Sequence, residues 1–406
     1  MTLAIALELR PTSWPSIRVL FNVSLFNAQT IPATFPRVSA RYDIIVAGLG
    51  AMGSAAAFHL ARRGARVLGL DRFAPPHRFG SSHGQTRIIR EAYFEHPIYV
   101  PLVQRAYVLW DELAEAAQAE LFRQTGGVMI GVPTSSLVCG AKLSADTHKL
   151  AHETLSAAEV RRRFPALRPS DDMIAVFEPR AGVVFPERCV AAHLQLARRH
   201  GAELRFDEPM LRWAPDGPGV RVATSQGEFA AGQLLVSAGA WLNTLLPGLP
   251  MRVERQVQLW FEPMESLFAP EQCPIHMWQF DGSRFFYGIP DFGEGLKVAF
   301  HHQGESTTPD TVCREVAPGE VEAMRAVLRR FVPGADGPLR SATVCLYTNT
   351  PDEHFWIDRH RDCPQVLVAS PCSGHGFKFS AAIGEVLADL AQARQPKFDL
   401  SLFRTR

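Results

Sequence analysis

The sequence predicts an α/β (α+β) fold in which a Rossmann-like dinucleotide-binding domain is interleaved with a second, mixed-sheet domain. Three observations carry this expectation. A strand, a glycine-rich turn, a helix and a second strand follow one another from Tyr42. Residues 251–302 alternate as antiparallel strands do, broken by Pro, Gly and Asp. A late strand at 366–369 enters a second glycine-rich turn and a closing helix, so the nucleotide domain draws on both ends of the chain.

The first unit sets the chemistry. Residues 42–47 are an apolar run of strand length, and Gly48-Leu-Gly50-Ala-Met-Gly53 is a G-x-G-x-x-G. The first glycine permits the tight turn, the second lets backbone approach a pyrophosphate, and the third allows close helix–strand packing. A helix is expected over 54–63, apolar at Ala57, Leu60 and Ala61 and closed by Gly64. Its N-terminus offers free N–H groups and a positive dipole end to phosphates. A second strand at 66–70 ends in Asp71, 23 residues after Gly48. That is near the spacing of about 20 for an acid on the adenosine ribose. The unit predicts an adenine-dinucleotide site.

An NAD dehydrogenase would continue through alternating strands and helices. This chain instead enters a loop at 73–86 rich in Gly, Ser and His, able to lie close to a bulky planar ligand. Arg87-Ile-Ile-Arg90 follows. Read as helical, it puts both arginines on one face, with Ile88 and Ile89 toward the core. Side-by-side arginines repel unless an anion sits between them. Further helices are expected at 103–116, 190–200, 320–331 and 380–393, and the capping box Ser156-Ala-Ala-Glu159 opens a short one. Strands are expected at 126–131, 182–185, 203–206, 220–224, 227–230 and 233–237. The nucleotide domain is then expected over 42–124, 180–248 and 340–394, and the second domain over 125–179 and 249–339.

Composition narrows the class. A length of 406 residues suits two to three domains of about 150. Lys and Arg number 42 against 41 Asp and Glu; a net charge of +1 argues against a nucleic-acid partner. No apolar run reaches the roughly 18 residues of a membrane span. Seven cysteines with no Cys-x-x-Cys argue against a disulfide framework or zinc ribbon. They point to a reducing, cytoplasmic setting, and no metal site is expected. Residues 1–41 hold four arginines, four prolines and one acid without periodicity, and are expected to be a disordered N-terminal extension.

Four later blocks are more specific than the glycine motif. They are Gly84-Gln-Thr-Arg-Ile-Ile-Arg90 with Tyr93; Gly295-Leu-Lys297 with His301; Cys345-Leu-Tyr347-Thr with Asp352-Glu-His354-Phe; and Ser373-Gly-His-Gly-Phe-Lys378. With residues 48–53 they resemble the monomeric sarcosine oxidase and N-methyltryptophan oxidase family of flavin amine oxidases, from about residue 42 onward. The resemblance implies FAD as cofactor, attached covalently by a thioether through Cys345. Gly48, Gly50, Gly53, Asp71, Arg72, Ser81, Ser82, Thr86, Gly376 and Lys378 complete the implied cofactor-binding set. Lys297 matches the lysine near flavin N5 that promotes reaction with oxygen, and Arg87 the arginine above the flavin ring. Arg90 and Lys378 match the pair that grips the substrate carboxylate. His301 and Tyr347 match pocket residues and join Lys297 and Arg87 in the catalytic set; Tyr93, Tyr287 and Gly374 join the substrate-binding set.

The residues support these roles on physical grounds. Arg87, Arg90, Lys297 and Lys378, converging with few acids near, would favour a carboxylate and an anionic reduced flavin. The same field would lower the pKa of a substrate ammonium. Glu91 is expected to neutralise Arg90 in part. Period-2 alternation puts Cys345 and Tyr347 on one strand face. The expected reaction is oxidation of a small N-methyl or cyclic secondary amino acid, sarcosine-like, to an imine that hydrolyses. Oxygen is the second substrate, hydrogen peroxide a product, and the enzyme a monomer. The alternative is an FAD-dependent dehydrogenase or hydroxylase of the same fold that does not use oxygen as direct acceptor. Ser370-Pro371-Cys372 replaces the small-residue and Phe turn typical of sarcosine-specific relatives, which leaves the substrate side chain open.

Overall fold

The first apolar run becomes the strand Arg41–Ala47, central in an eight-stranded sheet. The computed structural model describes residues 41–404. The expectation for the N-terminal extension therefore lies outside the described residues, save for Arg41, which opens this strand. Arg41–Ala47 pairs in parallel with Val67–Leu70 on one side and Glu228–Val236 on the other. Glu203–Arg205 and Cys363–Ser370 extend the parallel layer. Met210–Asp216, Gly219–Thr224 and Trp356–His360 add antiparallel strands.

Every residue of Val67–Leu70 is buried, as a parallel strand covered on both faces requires. The helices Ala51–Arg62, Pro186–Arg199 and Ser380–Ala391 supply one cover through Ala57, Leu60, Val190, Leu194, Ile383 and Leu387. The opposite face packs Ile45, Leu68, Leu234 and Val366 against Leu242 and Leu246. The helix expected from residue 190 begins a turn earlier, at Pro186, because proline is tolerated at the first helical position. The expected break between 230 and 233 is absent: pairing with Arg41–Ala47 carries one strand through Gly232.

The second sheet has nine strands, built from residues 127–178 and 252–349. Arg252–Phe261, Leu296–His301, Arg284–Ile289 and Ile275–Phe280 form an antiparallel run, and Gly127–Gly131 joins Ile275–Phe280 in parallel. Leu339–Asn349 pairs along Arg252–Phe261, with Cys345 opposite Gln256 and Tyr347 opposite Glu254. Paired residues share a face. The register therefore places Met277, Tyr287, Lys297, His301, Cys345 and Tyr347 on one side of this sheet. The helix Pro318–Phe331 covers the other side, where Trp278 stacks on Phe286 at 5.5 Å and meets Phe331 at 5.1 Å.

A third, three-stranded sheet corrects one local expectation. Arg87–Ile89 is an edge strand, not a helix, paired antiparallel with Gly182–Val184, whose far side takes Phe122–Gln124. Two adjacent β-branched residues favour that outcome. Ile88 lines the cavity while packing half-buried against the core, and Ile89 is fully buried in it. The helix Ser136–His148, capped by the Ser135 side chain, has too weak an apolar stripe to be read from sequence.

Candidate active site

A cavity of about 450 Å³ lies where the glycine turn meets the ordered face of the second sheet. Gly48, Gly50, Asp71, Arg72, Ser81 and Ser82 line it, as do Arg87, Arg90, Tyr287, His301, Cys345, Tyr347, Gly374, Gly376 and Lys378. Gly53, Thr86, Tyr93 and Lys297 do not. These four lie behind the wall.

The glycine turn has the geometry of a phosphate cradle. Gly48 has φ +91°, and a Cβ there would stand 2.6 Å from the Ser237 carbonyl oxygen. A Cβ on Gly53 would collide with the Gly48 carbonyl. The helix opens at Ala51 with no side-chain cap from Gly50, so its first N–H groups remain available to an anion; one, on Ala51, reaches Ser82 Oγ at 3.2 Å. Asp71 accepts from the Leu49 N–H at 2.7 Å through one oxygen and from the Phe73 N–H at 2.9 Å through the other. It braces the turn while lining the cavity. Buried Thr86 Oγ1 and His83 Nε2 have no hydrogen-bond partner among the described residues. The unpaired turn donors and the positioned acid, both facing the cavity, fit an adenine dinucleotide such as FAD.

The arginine strand supplies two cations with different settings. Arg87 donates from Nη1 to the Thr86 carbonyl at 2.8 Å and from Nη2 to Ser81 at 3.0 Å, and Nη2 stands 3.5 Å from Cys345 Sγ. Cys345 is 1% exposed. Arg90 donates from Nη2 to both Glu95 oxygens, at 3.0 and 2.8 Å, and from Nη1 to the Ala92 carbonyl. Glu91 does not neutralise Arg90: it turns away to Arg180 at 2.9 Å. Glu95, five residues on, does so instead. The cationic site thus contains an acid that its sequence neighbourhood offered at i+5, a spacing with no meaning in a regular strand or helix.

Arg90 and Lys378 share one aromatic platform. The Arg90 guanidinium lies 4.3 Å and the Lys378 ammonium 5.1 Å from the Tyr93 ring centre. Lys378 donates to the His375 carbonyl at 2.7 Å, and Tyr93 Oη lies 2.5 Å from His375 Nδ1. Burial, then Arg90, push Lys378 down to about 7, with Glu95 opposing. Burial first and Arg87 second likewise hold Lys297 well below the ordinary lysine range. Its ammonium is fixed by the carbonyls of Gly84 at 2.7 Å and Thr86 at 2.8 Å and lies 5.2 Å from the Trp260 ring centre.

On the sheet side, His301 Nδ1 lies 3.1 Å from Tyr347 Oη. Burial holds His301 well below the ordinary histidine range, helped by His302, His375, Lys378 and Arg90. Gly374, at φ +75°, packs so close that a Cβ would stand 2.6 Å from the Tyr347 ring and 2.9 Å from His301. Reading by motif omitted Glu95, His375, Met277 and Cys372 from the wall. His375 sat inside a quoted motif, and Met277 had the alternation of its strand as a signal.

Among the described residues all seven cysteines are free, and no helix is long and apolar enough to cross a membrane. The FAD dependent oxidoreductase family matches residues 43–390. The monomeric sarcosine oxidase of Streptomyces avermitilis is 49% identical over 91% of this chain and 98% of its own length. The N-methyl-L-tryptophan oxidase of Salmonella typhi is 36% identical over 90% and 98%. Among solved structures, NikD, an amino acid oxidase essential for nikkomycin biosynthesis, superposes with TM-score 0.80 at 24% identity, covering 91% of this chain and 98% of that one. Glycine oxidase from Geobacillus kaustophilus gives 0.75 at 21%, covering 90% and 99%; both likenesses concern the fold. With the family matched over almost all the described residues and the cavity built as its cofactor requires, the chain belongs to the FAD-dependent oxidoreductases, as an amine oxidoreductase of the sarcosine oxidase type.

Proposed function

We propose that the protein oxidises a small secondary amino acid, N-methyl or cyclic, with oxygen as electron acceptor. The observation that carries this reading is the pairing of Arg90 and Lys378 over the single ring of Tyr93 at the cavity wall. Two basic side chains gathered at one aromatic ring and lining the cavity suit a substrate carboxylate. Binding that group away from the reacting C–N bond supplies orientation, which accounts for much of an enzymatic rate. His301 and Tyr347, joined at 3.1 Å, position the amine end. The cationic surroundings favour loss of the substrate's ammonium proton before oxidation. Bound FAD would accept two electrons from the C–N unit and pass them to oxygen, giving an imine that water hydrolyses, and hydrogen peroxide. Lys297, held by the Gly84 and Thr86 carbonyls behind the cavity wall, is the residue we assign to the oxygen step.

The same reading extends to Cys345 as the covalent attachment point, supported by its burial beside Arg87. It extends also to a monomeric enzyme and to the domain division expected from sequence. Sarcosine, N-methyl amino acids, pipecolate and proline are the candidates to test. One of them should bleach the flavin anaerobically and yield peroxide under air, with both responses lost in Arg90→Ala and Lys378→Ala. Bleaching without peroxide would mean a dehydrogenase; no bleaching by any of them would overturn the reading.

A further inference from the structure

The strand that begins at Arg87 and delivers the chain to Arg90 is only three residues long, Arg87–Ile89, too short to be fixed by its own ladder. Its partner Gly182–Val184 lies in the segment 178–187, and both ends of that segment carry a glutamate. Glu178 closes the strand Ile174–Glu178 and is 1% exposed. Its Oε1 accepts from the Glu91 N–H at 2.8 Å and its Oε2 from the Ala92 N–H at 2.7 Å. Glu187, in the first turn of Pro186–Arg199, uses Oε1 to accept from the N–H groups of Gly84 at 2.7 Å and Gln85 at 3.0 Å. The antiparallel register pairs Arg87 with Val184 and Ile89 with Gly182. The two carboxylates therefore continue the same ladder past either end of the strand, side chain replacing backbone as acceptor.

Gly84 and Gln85 both have positive φ, +96° and +66°. In this turn the successive N–H groups of Gly84 and Gln85 converge on one point, an anion-binding concavity that Glu187 fills from within the protein. A non-glycine residue held at positive φ is strained and persists only where its surroundings fix it. Gly84 and Thr86 are the residues whose carbonyls hold the Lys297 ammonium. At the other end, the Ala92 carbonyl, on the residue whose N–H Glu178 binds, accepts from Arg90 Nη1 at 2.9 Å. Each glutamate is thus one peptide away from a different cation of the site.

We infer that Glu178 and Glu187 are positioning residues, a two-ended carboxylate clamp that sets the arginine strand against the cavity, with Glu178 aligning Arg90 for the substrate carboxylate and Glu187 aligning the carbonyls that hold Lys297. The inference rests on the proposed roles of Arg90 and Lys297. Burial pushes Glu178 up to about 7 against the lowering effect of its two N–H donors, so the test belongs at about pH 8, where its carboxylate form prevails.

Two measurements on the holoenzyme separate the ends: the equilibrium dissociation constant of acetate, read from the flavin absorption band, and the rate at which substrate-reduced enzyme is reoxidised by oxygen. Glu178→Gln keeps one acceptor but turns an amide N–H toward a second N–H donor. It should weaken acetate binding about tenfold and leave reoxidation unchanged. Glu187→Gln should slow reoxidation about tenfold and leave acetate binding unchanged. Glu178→Asp and Glu187→Asp, which keep the charge but shorten its reach, should give the same split more weakly and guard against variants that fail to fold. Equal effects of both glutamates on both readouts, or none, would overturn the clamp. Arg90→Ala and Lys297→Met are run alongside: if they do not weaken acetate binding and slow reoxidation respectively, the underlying role assignments fail rather than the clamp.

Discussion

Arg90 and Glu95 face each other at the cavity wall, one guanidinium nitrogen lying 3.0 and 2.8 Å from the two carboxylate oxygens. Arg90 is 1% exposed, so the pair is well desolvated on its cationic side. A substrate carboxylate must compete with Glu95 for that nitrogen. Glu95→Gln should bind acetate about tenfold more tightly, because the competing charge is gone. It should also lower the melting temperature, because a buried cation loses its partner, a change that costs about 3–5 kcal/mol where a pair is fully buried. Titration of the flavin band and a thermal melt check both directions; unchanged acetate affinity would show that the pair does not compete.

Lys378 adds a pH dependence. Burial and Arg90 push it down to about 7, so its ammonium is lost as pH rises through neutrality. A carboxylate ligand prefers the protonated form. Acetate affinity should therefore fall above about pH 7, approaching tenfold per unit, and by linkage bound acetate should raise the lysine pKa. In Lys378→Met the affinity should be lower and this slope absent. Acetate carries no amine, so its binding curve isolates the lysine from substrate titration.

For Cys345, acid denaturation followed by ultrafiltration gives a direct answer. Yellow colour should stay with the native chain and pass the filter from Cys345→Ala. Free flavin from the native enzyme would remove the proposed thioether while leaving FAD itself in place.

Gly374→Ala places a methyl group 2.6 Å from the Tyr347 ring, on a residue at φ +75°. The His301–Tyr347 contact at 3.1 Å must then yield. A fall of about 10- to 100-fold in kcat/KM should follow, with flavin content retained, since misplacement by about 1 Å can cost about 100-fold.

Acid stability should depend on the buried histidines. Burial lowers His59 to about 4 and His276 to about 3. A folded-state pKa below the unfolded one means that the unfolded chain binds more protons. Their contribution is therefore present above about pH 6.5 and is lost as pH falls toward 4. At about 1.4 kcal/mol per unit, His59 alone accounts for about 3 kcal/mol by pH 4. His59→Gln should shift the acid-unfolding midpoint downward, followed by circular dichroism.

Much of this was legible in the chain. The glycine turn, its strand and helix, and Asp71 are local features whose geometry is set by neighbours within about 25 residues, the reach of one βαβ unit. The face shared by Cys345 and Tyr347 follows from period-2 alternation alone, and the register bears it out. The three residues Arg87–Ile89 carry no periodicity that separates helix from strand, and only pairing with Gly182–Val184 decides for the strand. Glu91 was credited with the role of Glu95 because sequence adjacency is a poor guide where the backbone turns out of a strand.

The sequence by itself determined the fold class, the dinucleotide motif, the family and a part of the cavity lining, including Arg87, Arg90, Cys345 and Lys378. These depend on glycine geometry, alternation and motifs, each written within a short stretch of chain. The tertiary structure decided which charges meet: Arg90 with Glu95, Lys297 with the Gly84 and Thr86 carbonyls, and Glu178 and Glu187 at either end of the arginine strand. Arg90 and Glu95 meet where the backbone turns out of a strand, and the other contacts join segments 86 to 213 residues apart. Their strength depends on burial, which no local pattern records.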